Sequence, residues 1–197
     1  NPFMDVTAIT HRRDAIYVSF ISQVTPSESS VIKKVGSEPM FTRFLHDDLG
    51  LKSVMQVAMH EPLTNLRKLI VVQMDHPEEA EVWRALNGIA VYHPGVGKII
   101  VAVDEDINPW DADAVFWAMC YRMKPHLDVQ IIRGRSKGHA PPFMGASESQ
   151  ERVVFELEAD DSAMLVNAVL KEPYPPISLP KREFMDNAKK IWEELNL

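Results

Sequence analysis

The stretch that decides the fold reads KLIVVQM at residues 68–74 and GKIIVAVDEDINP at residues 97–109. Both runs are almost continuously apolar over the length of a strand, which is typical of strands buried on both faces of a parallel sheet. The residues between them predict a helix that begins after Asp75-x-x-Glu78, a spacing similar to a capping box, and ends before His93. A strand, a helix and a strand in this order predict a right-handed parallel crossover.

Outward from this unit, the chain repeats the pattern once more. Asn108-Pro109 predicts the start of a second helix, and Val129–Ile132 predicts a third strand. We therefore expect an α/β fold with a mostly parallel βαβαβ sheet flanked by helices. The pattern of Ser162–Leu170 does not decide between a strand and a helix. The remaining predicted elements are strands at Val6–Thr10, Ile16–Ile21, Lys52–Met59 and Arg152–Leu157, and helices at Ser29–Val35 and Pro39–Leu49 with Gly50 as a C-cap.

The end of the chain predicts a separate helix. Prolines in Pro173–Pro176 form a stiff linker, and the helix extends from Pro180 to Leu195. We expect residues 1–176 to form the α/β domain and residues 177–197 to form a helix that packs on a partner subunit. Its apolar stripe at helical spacing consists of Phe184, Ala188, Ile191, Trp192 and Leu195.

The composition is that of an ordinary globular domain, with 46% hydrophobic and 25% charged residues among 197. The apolar runs are too short to cross a bilayer, and the first residues lack the pattern of a secretory signal. The lone cysteine, Cys120, cannot form an internal disulfide, so we expect a reducing, cytoplasmic location. A net charge of −7 without a compensating basic face argues against nucleic-acid binding.

Three acids, Asp104-Glu105-Asp106, follow the second buried strand. Ligands of open α/β sheets bind beyond the carboxyl ends of the strands, and acids there suit a hard cation or a general base. However, successive side chains on an extended segment point to opposite sides, so all three acids cannot converge on one ion. We therefore favour the interpretation that they cap the next helix and pair with Arg122 or a nearby lysine.

A basic segment, residues 133–139, follows the third predicted strand in this otherwise acidic chain. Guanidinium groups bind carboxylates and phosphates through paired hydrogen bonds, and the apolar residues that follow would form a wall. These features suit an aromatic acid. The alternative is a solvated basic loop. The candidate substrate-binding residues are Arg135, Lys137, His139, Phe143 and Met144.

Other catalytic signatures are missing from the sequence. GVGK at residues 95–98 follows a predicted helix rather than a strand, so it predicts a turn and not a phosphate-binding loop. The histidines lack zinc-ligand spacing, Cys120 lies in an amphipathic segment, and no Gly-x-Ser-x-Gly elbow is present.

Three ordered blocks resemble the UbiD family of decarboxylases. The central block, residues 97–109 continued by VFWAMCYRMKP at residues 115–125 and by Asp128-Val129, is similar to a "VDEDID…WA…R…P…DV" stretch near the family's carboxy terminus. The opening VTAITHRR at residues 6–13 and the closing LPKREFM at residues 179–185 with Ile191-Trp192-Glu193 are similar too. Asn108 stands where the family commonly has aspartate, a small change at a helix cap.

The resemblance implies an enzyme that uses prenylated FMN with manganese or magnesium, and often potassium. Such enzymes decarboxylate aromatic or α,β-unsaturated acids reversibly, without oxidation. It places the catalytic network, the flavin and the metal ligands in an upstream flavin-binding region. No catalytic, cofactor-binding or metal-binding residue is therefore expected in this segment, which alone would be inactive.

The matched region corresponds to the family's carboxy-terminal domain, which forms dimer contacts and part of the substrate pocket wall. The resemblance thus implies that the loop around residues 135–144 faces the pocket and that the terminal helix contacts another subunit of a homodimer or higher oligomer. Two alternatives stay open. One is a dimerisation or docking module without chemistry, and the other is an acid-binding protein or hydrolase that uses Asp104, Glu105 or Asp106 with a metal.

Overall fold

The computed structural model describes residues 5–17, 27–60, 68–93, 95–135, 161–174 and 180–195. The first helix, Glu28–Arg43, is followed directly by a π-helical turn, Phe44–Asp48. In the described part of the chain, no helix has the length and apolar character that a membrane crossing needs. In chain order the elements are α1 (Glu28–Arg43), β1 (Val54–Met59), β2 (Leu69–Met74), α2 (Glu79–Tyr92), β3 (Ile99–Asp104), α3 (Ala112–Arg122), α4 (Pro125–Asp128), β4 (Val129–Arg135), β5 (Asp161–Asn167) and α5 (Arg182–Glu194).

The five strands form one sheet in the order β1-β2-β3-β5-β4. Strands β2, β3 and β5 run parallel to one another, whereas β1 and β4 run antiparallel to their neighbours at the two edges. The predicted α/β class and the mostly parallel sheet are confirmed. The expected place of the third strand was wrong, because β4 pairs antiparallel with β5 and the strand beside β3 is β5.

The path of α3 explains this difference. The Ile107 amide before the helix donates to the Asp104 carbonyl, and Arg122, the last residue of α3, reaches the Asp104 side chain. Beyond α3 the chain is therefore back at the carboxyl end of β3 and has not crossed to the opposite end of the sheet. It enters β4 from the same end and runs back antiparallel.

Two apolar layers hold the sheet. On one face, α1 and α2 pack against residues of all the strands, and this core includes Phe41, Leu45, Leu86, Ile89, Ile70, Ile100 and Leu165. On the other face, α3 packs on a smaller core that includes Val71, Val101, Val103, Val115, Ala118 and Val166. The central strands β2 and β3 are buried from both sides, as their continuous apolar sequence predicts.

The β1 edge of the sheet is covered by α1. Thr42 Oγ1 accepts a hydrogen bond from the Val57 amide at 3.0 Å, and Glu38 Oε1 accepts one from the Met59 amide at 2.8 Å. Thr42 and Glu38 lie one helical turn apart, while Val57 and Met59 are alternate residues of the strand. These side chains pair the outward amides of an edge strand, which would otherwise form a template for another chain.

The helical predictions before the sheet were correct in type but not in boundaries. The two short predicted helices are one continuous α1 with Pro39 inside it, and Ser27 Oγ accepts a hydrogen bond from the Ser30 amide at its start. Gly50 has φ +69°, which confirms a left-handed residue after the helical segment. The capping box at Asp75 was wrong, since α2 begins after Glu78, which makes no side-chain cap bond.

The predicted strand at Val6–Thr10 was also wrong. Residues 5–17 form no strand and are exposed, with Ile9 at 81%. A strand needs a hydrogen-bonded neighbour, and at the β1 edge those amides are already paired with α1. Residues 18–21 of the second predicted strand, and the strand predicted at Arg152–Leu157, lie outside the described residues.

The predicted carboxy-terminal helix is present as α5. None of its residues is buried. The division of the chain near residue 176 and the packing of this helix on a partner stay predictions.

Candidate functional site

The acids after β3 form an ion-pair cluster with the last residue of α3. Arg122 Nη1 donates to Asp104 Oδ2 at 2.6 Å and to Asp106 Oδ1 at 2.8 Å, while Arg122 Nη2 donates to Asp106 Oδ2 at 2.6 Å. The predicted pairing with Arg122 is confirmed. The predicted capping is not, because α3 is capped by Asp111, whose carboxylate accepts the Asp113 and Ala114 amides. Glu105, between the two paired acids, points elsewhere.

Two aromatic rings enclose the Arg122 guanidinium. Its Cζ lies 5.3 Å from the Trp117 ring centroid and 5.6 Å from that of Tyr174, and its Nε donates to the Tyr174 hydroxyl at 3.1 Å. Contacts of this kind combine cation–π attraction with exclusion of water. The Arg122 side chain is only 2% exposed, so its positive charge is held in a fixed place.

Burial and hydrogen bonds shift the pKa values of the ionisable side chains in this cluster. Burial raises the pKa of Asp104, and the Leu170 amide, which donates to Asp104 Oδ2 at 2.7 Å, and Arg122 oppose that rise. The hydrogen bond from Arg122 lowers the pKa of the more exposed Asp106. The same bond raises the pKa of Arg122. Such a cluster fixes the loops at the carboxyl end of β3, with its acids engaged by a guanidinium.

Lys171 extends the cluster along the chain that leaves β5. Its ammonium donates to the Arg122 carbonyl at 2.9 Å and to the Asn167 carbonyl at 2.6 Å, and it pairs with Asp128 at 3.2 Å. Desolvation lowers the pKa of Lys171, and the Asp128 carboxylate opposes this shift. The lysine thereby fastens the end of α3 to β5 and α4.

Glu105 belongs to a second, exposed group with Asp75 and His76. One ligand atom from each residue lies within 4.8 Å of the others, which is the one arrangement with metal-ligand spacing in the described parts of the chain. However, His76 Nδ1 is 2.6 Å from Asp75 Oδ1, and this hydrogen bond raises the pKa of His76. A metal binds the neutral imidazole, so the raised pKa of His76 works against metal binding at this group.

Arg135, one of the candidate substrate-binding residues, is buried at the opposite end of the sheet. Its guanidinium donates to the carbonyls of Gly97, Ala90 and Val96 at 2.6, 2.7 and 2.9 Å, and to that of His93 at 3.3 Å. These carbonyls belong to the end of α2 and to the turn before β3. The guanidinium therefore closes a helix carboxyl terminus, where helices leave carbonyls without partners.

The substrate-binding role of the basic segment stays a prediction. Any carboxylate bound by Arg135 would have to compete with its carbonyl partners. Lys137, His139, Phe143 and Met144 lie outside the described residues. The segment GVGK at residues 95–98 is a turn, as predicted, with Gly97 at φ +71°.

Sequence reasoning missed two parts of this region. Tyr174 contacts Arg122 across 52 positions of sequence, and no periodicity links the two. Glu38 on α1 accepts a hydrogen bond from Trp110 Nε1 at 3.1 Å, in addition to that from the β1 edge, so it joins α1 to the loop before α3. A sequence signal that points to this region is the pair of aromatic residues one helical turn apart on α3, Trp117 and Tyr121. Their ring centroids lie 5.3 Å apart.

Comparison with known proteins places these features in a family. Residues 32–156 match the model of the 3-octaprenyl-4-hydroxybenzoate carboxy-lyase C-terminal domain, that of the UbiD family. An anhydromevalonate phosphate decarboxylase from Methanosarcina mazei is 29% identical over 75% of this chain and 33% of its own length. An uncharacterized protein from Archaeoglobus fulgidus is 29% identical over 66% of this chain and 27% of its own length.

Solved structures agree on the fold. The UbiD-class enzyme HmfF from Pelotomaculum thermopropionicum, in complex with FMN, aligns over 82% of this chain and 34% of its own, with a TM-score of 0.59 and 20% identity. The closed form of vanillic acid decarboxylase from Sedimentibacter hydroxybenzoicus aligns over 86% and 34%, with a TM-score of 0.61 and 16% identity. The chain thus spans about a third of the length of the proteins that it matches.

Proposed function

The chain belongs to the UbiD family through its carboxy-terminal domain, and we propose that it serves as that domain in a decarboxylase that removes CO₂ reversibly, and without oxidation, from an aromatic or α,β-unsaturated carboxylic acid. The observation that carries the proposal is the family match over residues 32–156, in a chain whose aligned part spans about a third of the length of its relatives. The aromatic class is supported by neighbours named as decarboxylases of vanillic acid and 3,4-dihydroxybenzoic acid.

In this proposal the flavin and the metal belong to the flavin-binding amino-terminal region of the same enzyme. Prenylated FMN, with manganese or magnesium and potassium, would supply the electron sink for loss of CO₂. The described residues do not fit the phosphate of a flavin. The carboxyl end of the sheet carries the acids Asp75, Glu105 and Asp106, while Arg122 and Arg135 are already engaged by acids and carbonyls.

The contribution of this chain is structural on this view. The Arg122 cluster fixes the loops at one end of the sheet, and Arg135 fixes the turn at the other. A wall with fixed edges can orient a bound acid and exclude water while the chemistry takes place elsewhere. The loop at residues 135–144 is proposed to complete the pocket, and the enzyme is proposed to be a cytoplasmic homodimer or higher homo-oligomer.

The test is reconstitution. The chain is produced joined to its upstream region in cells that make prenylated FMN, and CO₂ release is measured from a panel of aromatic and α,β-unsaturated acids. We expect activity from the joined protein and none from either part alone. Flavin binding and turnover by the isolated 197-residue chain, or inactivity of the joined and flavin-loaded protein on every acid, would contradict the proposal.

A second candidate function is favoured by one observation. The α5 helix exposes Phe184, Ile191 and Trp192 on an otherwise polar surface, as expected of a docking or dimerisation module without chemistry. The two functions differ in the joined protein, because a docking module would assemble with its upstream region but release no CO₂.

A further inference from the structure

A groove runs along the outer edge of β1, between α1 and the loop that precedes α3. Its volume is about 430 Å³, which is within the range of sites for small molecules. Pro39 of α1, Val57 of β1 and Trp110 of the loop supply its apolar surface. The groove lies at the opposite edge of the sheet from β4. Space and apolar walls alone do not select a ligand, so the polar groups of the groove decide its class.

Two glutamines fix a carboxamide in this groove. Gln73 on β2 is buried and donates its two side-chain N–H groups to the carbonyls of Glu105 and Ile107, both at 2.9 Å. Its carbonyl oxygen accepts a hydrogen bond from Gln56 Nε2 at 2.5 Å, which turns the amide nitrogen of Gln56 toward β2. Gln56 lines the groove, and its carbonyl oxygen and second N–H have no partner among the described residues. The groove therefore offers a ligand one acceptor and one donor on a side chain of fixed orientation.

The indole of Trp110 is also fixed. Its Nε1 donates to Glu38 Oε1 at 3.1 Å, and its main-chain amide donates to Asn108 Oδ1 at 3.1 Å. The residue before it, Pro109, is anchored by the buried His60, whose Nε2 lies 2.7 Å from the Pro109 carbonyl oxygen. Trp110 nevertheless stays 45% exposed. An aromatic ring that is held at its edge and accessible elsewhere can stack on a planar ligand.

The charged side chains around the groove are paired with one another. Arg43 Nε lies 3.7 Å from Asp47 Oδ2, and His46 Nδ1 lies 3.1 Å from Asp47 Oδ1. Glu38 lies 3.9 Å from Lys34 Nζ. An anion in the groove would be attracted by Arg43 but repelled by the carboxylates of Asp47 and Glu38. This balance favours an uncharged ligand over a carboxylic acid.

The β1 edge is poorly suited to an extended peptide. The outward amides of Val57 and Met59 already donate to Thr42 Oγ1 and Glu38 Oε1. A peptide that binds by strand addition needs such amides for its main-chain hydrogen bonds. A compact ligand that uses only side chains therefore fits this groove better than a peptide does.

From these features we propose that the groove binds an uncharged aromatic amide, that is, a planar ring with a carboxamide or lactam group. The ring lies against Trp110, and the amide group pairs with the carbonyl oxygen and the remaining N–H of Gln56. A glutamine side chain recognises the adjacent donor and acceptor of a nucleobase in the same way. The proposal is independent of the proposed decarboxylation, because it needs neither a flavin nor an acid substrate.

The probe is benzamide, and its matched control is benzoate, which has the same ring and shape but carries a charge and donates no hydrogen bond. Both are titrated into the ¹⁵N-labelled 197-residue chain and followed by NMR at the Gln56 side-chain amide and the Trp110 indole N–H. For a ligand this small, we expect a Kd on the order of 1 mM for benzamide. Benzoate should bind at least about 10-fold more weakly, because it lacks the donor and meets the carboxylates.

Substitutions at the two ligand-binding side chains test the placement. Gln56→Leu should weaken benzamide binding at least about 10-fold, whereas Gln130→Leu, the same change at an exposed position on β4, should leave it unchanged. Trp110→Leu should also weaken binding at least about 10-fold, whereas Trp192→Leu on the exposed α5 should not. Circular dichroism of each variant checks the fold. Nuclear Overhauser contacts between benzamide and the Trp110 ring in the unmodified chain test the same placement without any substitution.

Three results would overturn the proposal. Benzoate that binds as tightly as benzamide would indicate a site for acids and not for amides. The absence of a saturable shift at both the Gln56 and Trp110 resonances would show that the groove is not a binding site. Benzamide that binds Gln56→Leu as tightly as the unmodified chain would exclude the pairing with this carboxamide.

Discussion

Replacing Arg135 by methionine tests what holds the turn between α2 and β3. Methionine keeps much of the apolar stem and removes the guanidinium. Three of the lost acceptors, the carbonyls of Gly97, Ala90 and Val96, form buried hydrogen bonds of 2.6–2.9 Å with this side chain. A buried carbonyl without a partner costs about 1–3 kcal/mol. Water that enters at the helix end recovers part of this cost, so we expect a loss of about 3–5 kcal/mol.

A loss of that size is a large fraction of the stability of a domain, which is about 5–15 kcal/mol. The free energy of unfolding is measured by urea titration, followed by circular dichroism and tryptophan fluorescence. The melting temperature should fall by roughly 6–20 °C for a chain of this length. Arg135→Lys should lie in between, because one ammonium keeps the charge but cannot reach all the carbonyls.

The matched control is Arg133→Met, the same change two residues earlier at an exposed position. Its free energy of unfolding should stay within about 0.5 kcal/mol of the unmodified chain. If Arg135→Met were as stable as Arg133→Met, the carbonyl contacts would be unimportant. The assignment of Arg135 to the fold would then be wrong, and a role in substrate binding would be favoured.

Three further predictions follow from the same contacts. Arg122→Met leaves the buried Asp104 carboxylate without its cation, so urea titration should show a loss of about 3–5 kcal/mol, and a loss below 1 kcal/mol would contradict the network. Glu38→Ala frees an amide of the β1 edge, so light scattering on heating should show faster aggregation than in the unmodified chain. Asp75→Asn should lower the raised pKa of His76, measured by NMR titration, and an unchanged value would exclude Asp75 as its main partner. In the unmodified chain this pair stabilises the fold below about pH 6.5, the unfolded value, and the contribution disappears as pH rises through the folded pKa.

The central strands could be predicted because burial on both faces leaves a continuous apolar record in the sequence. That record does not specify the partner of a strand. β4 carries polar residues at Gln130 and Arg133, which suit an edge strand, whereas the order of the elements predicts a third parallel strand at Val129–Ile132. Its antiparallel course goes with the return of the chain to the carboxyl end of β3, where Arg122 binds Asp104 across 18 positions of sequence.

In the candidate site too, some contacts could be predicted from the sequence and others could not. The pairing of Asp104 and Asp106 with Arg122 could be predicted because opposite charges at the two ends of one connection are visible in the sequence. The partners of Arg135 could not, because backbone carbonyls carry no residue identity. A guanidinium that caps a helix and one that binds a carboxylate have the same sequence signature, and only the position of the α2 carboxyl terminus tells them apart.

These contacts give the charged clusters of the chain a structural role. The described arginines at both ends of the sheet, Arg122 and Arg135, are occupied by acids and carbonyls that hold loops in place. Large apolar side chains are also exposed, among them Ile131 on β4 and Phe184 and Trp192 on α5. In the proposed function, exposed apolar side chains of this kind would contact the rest of the enzyme. A proton-transfer site would instead need a titratable group with access to a substrate.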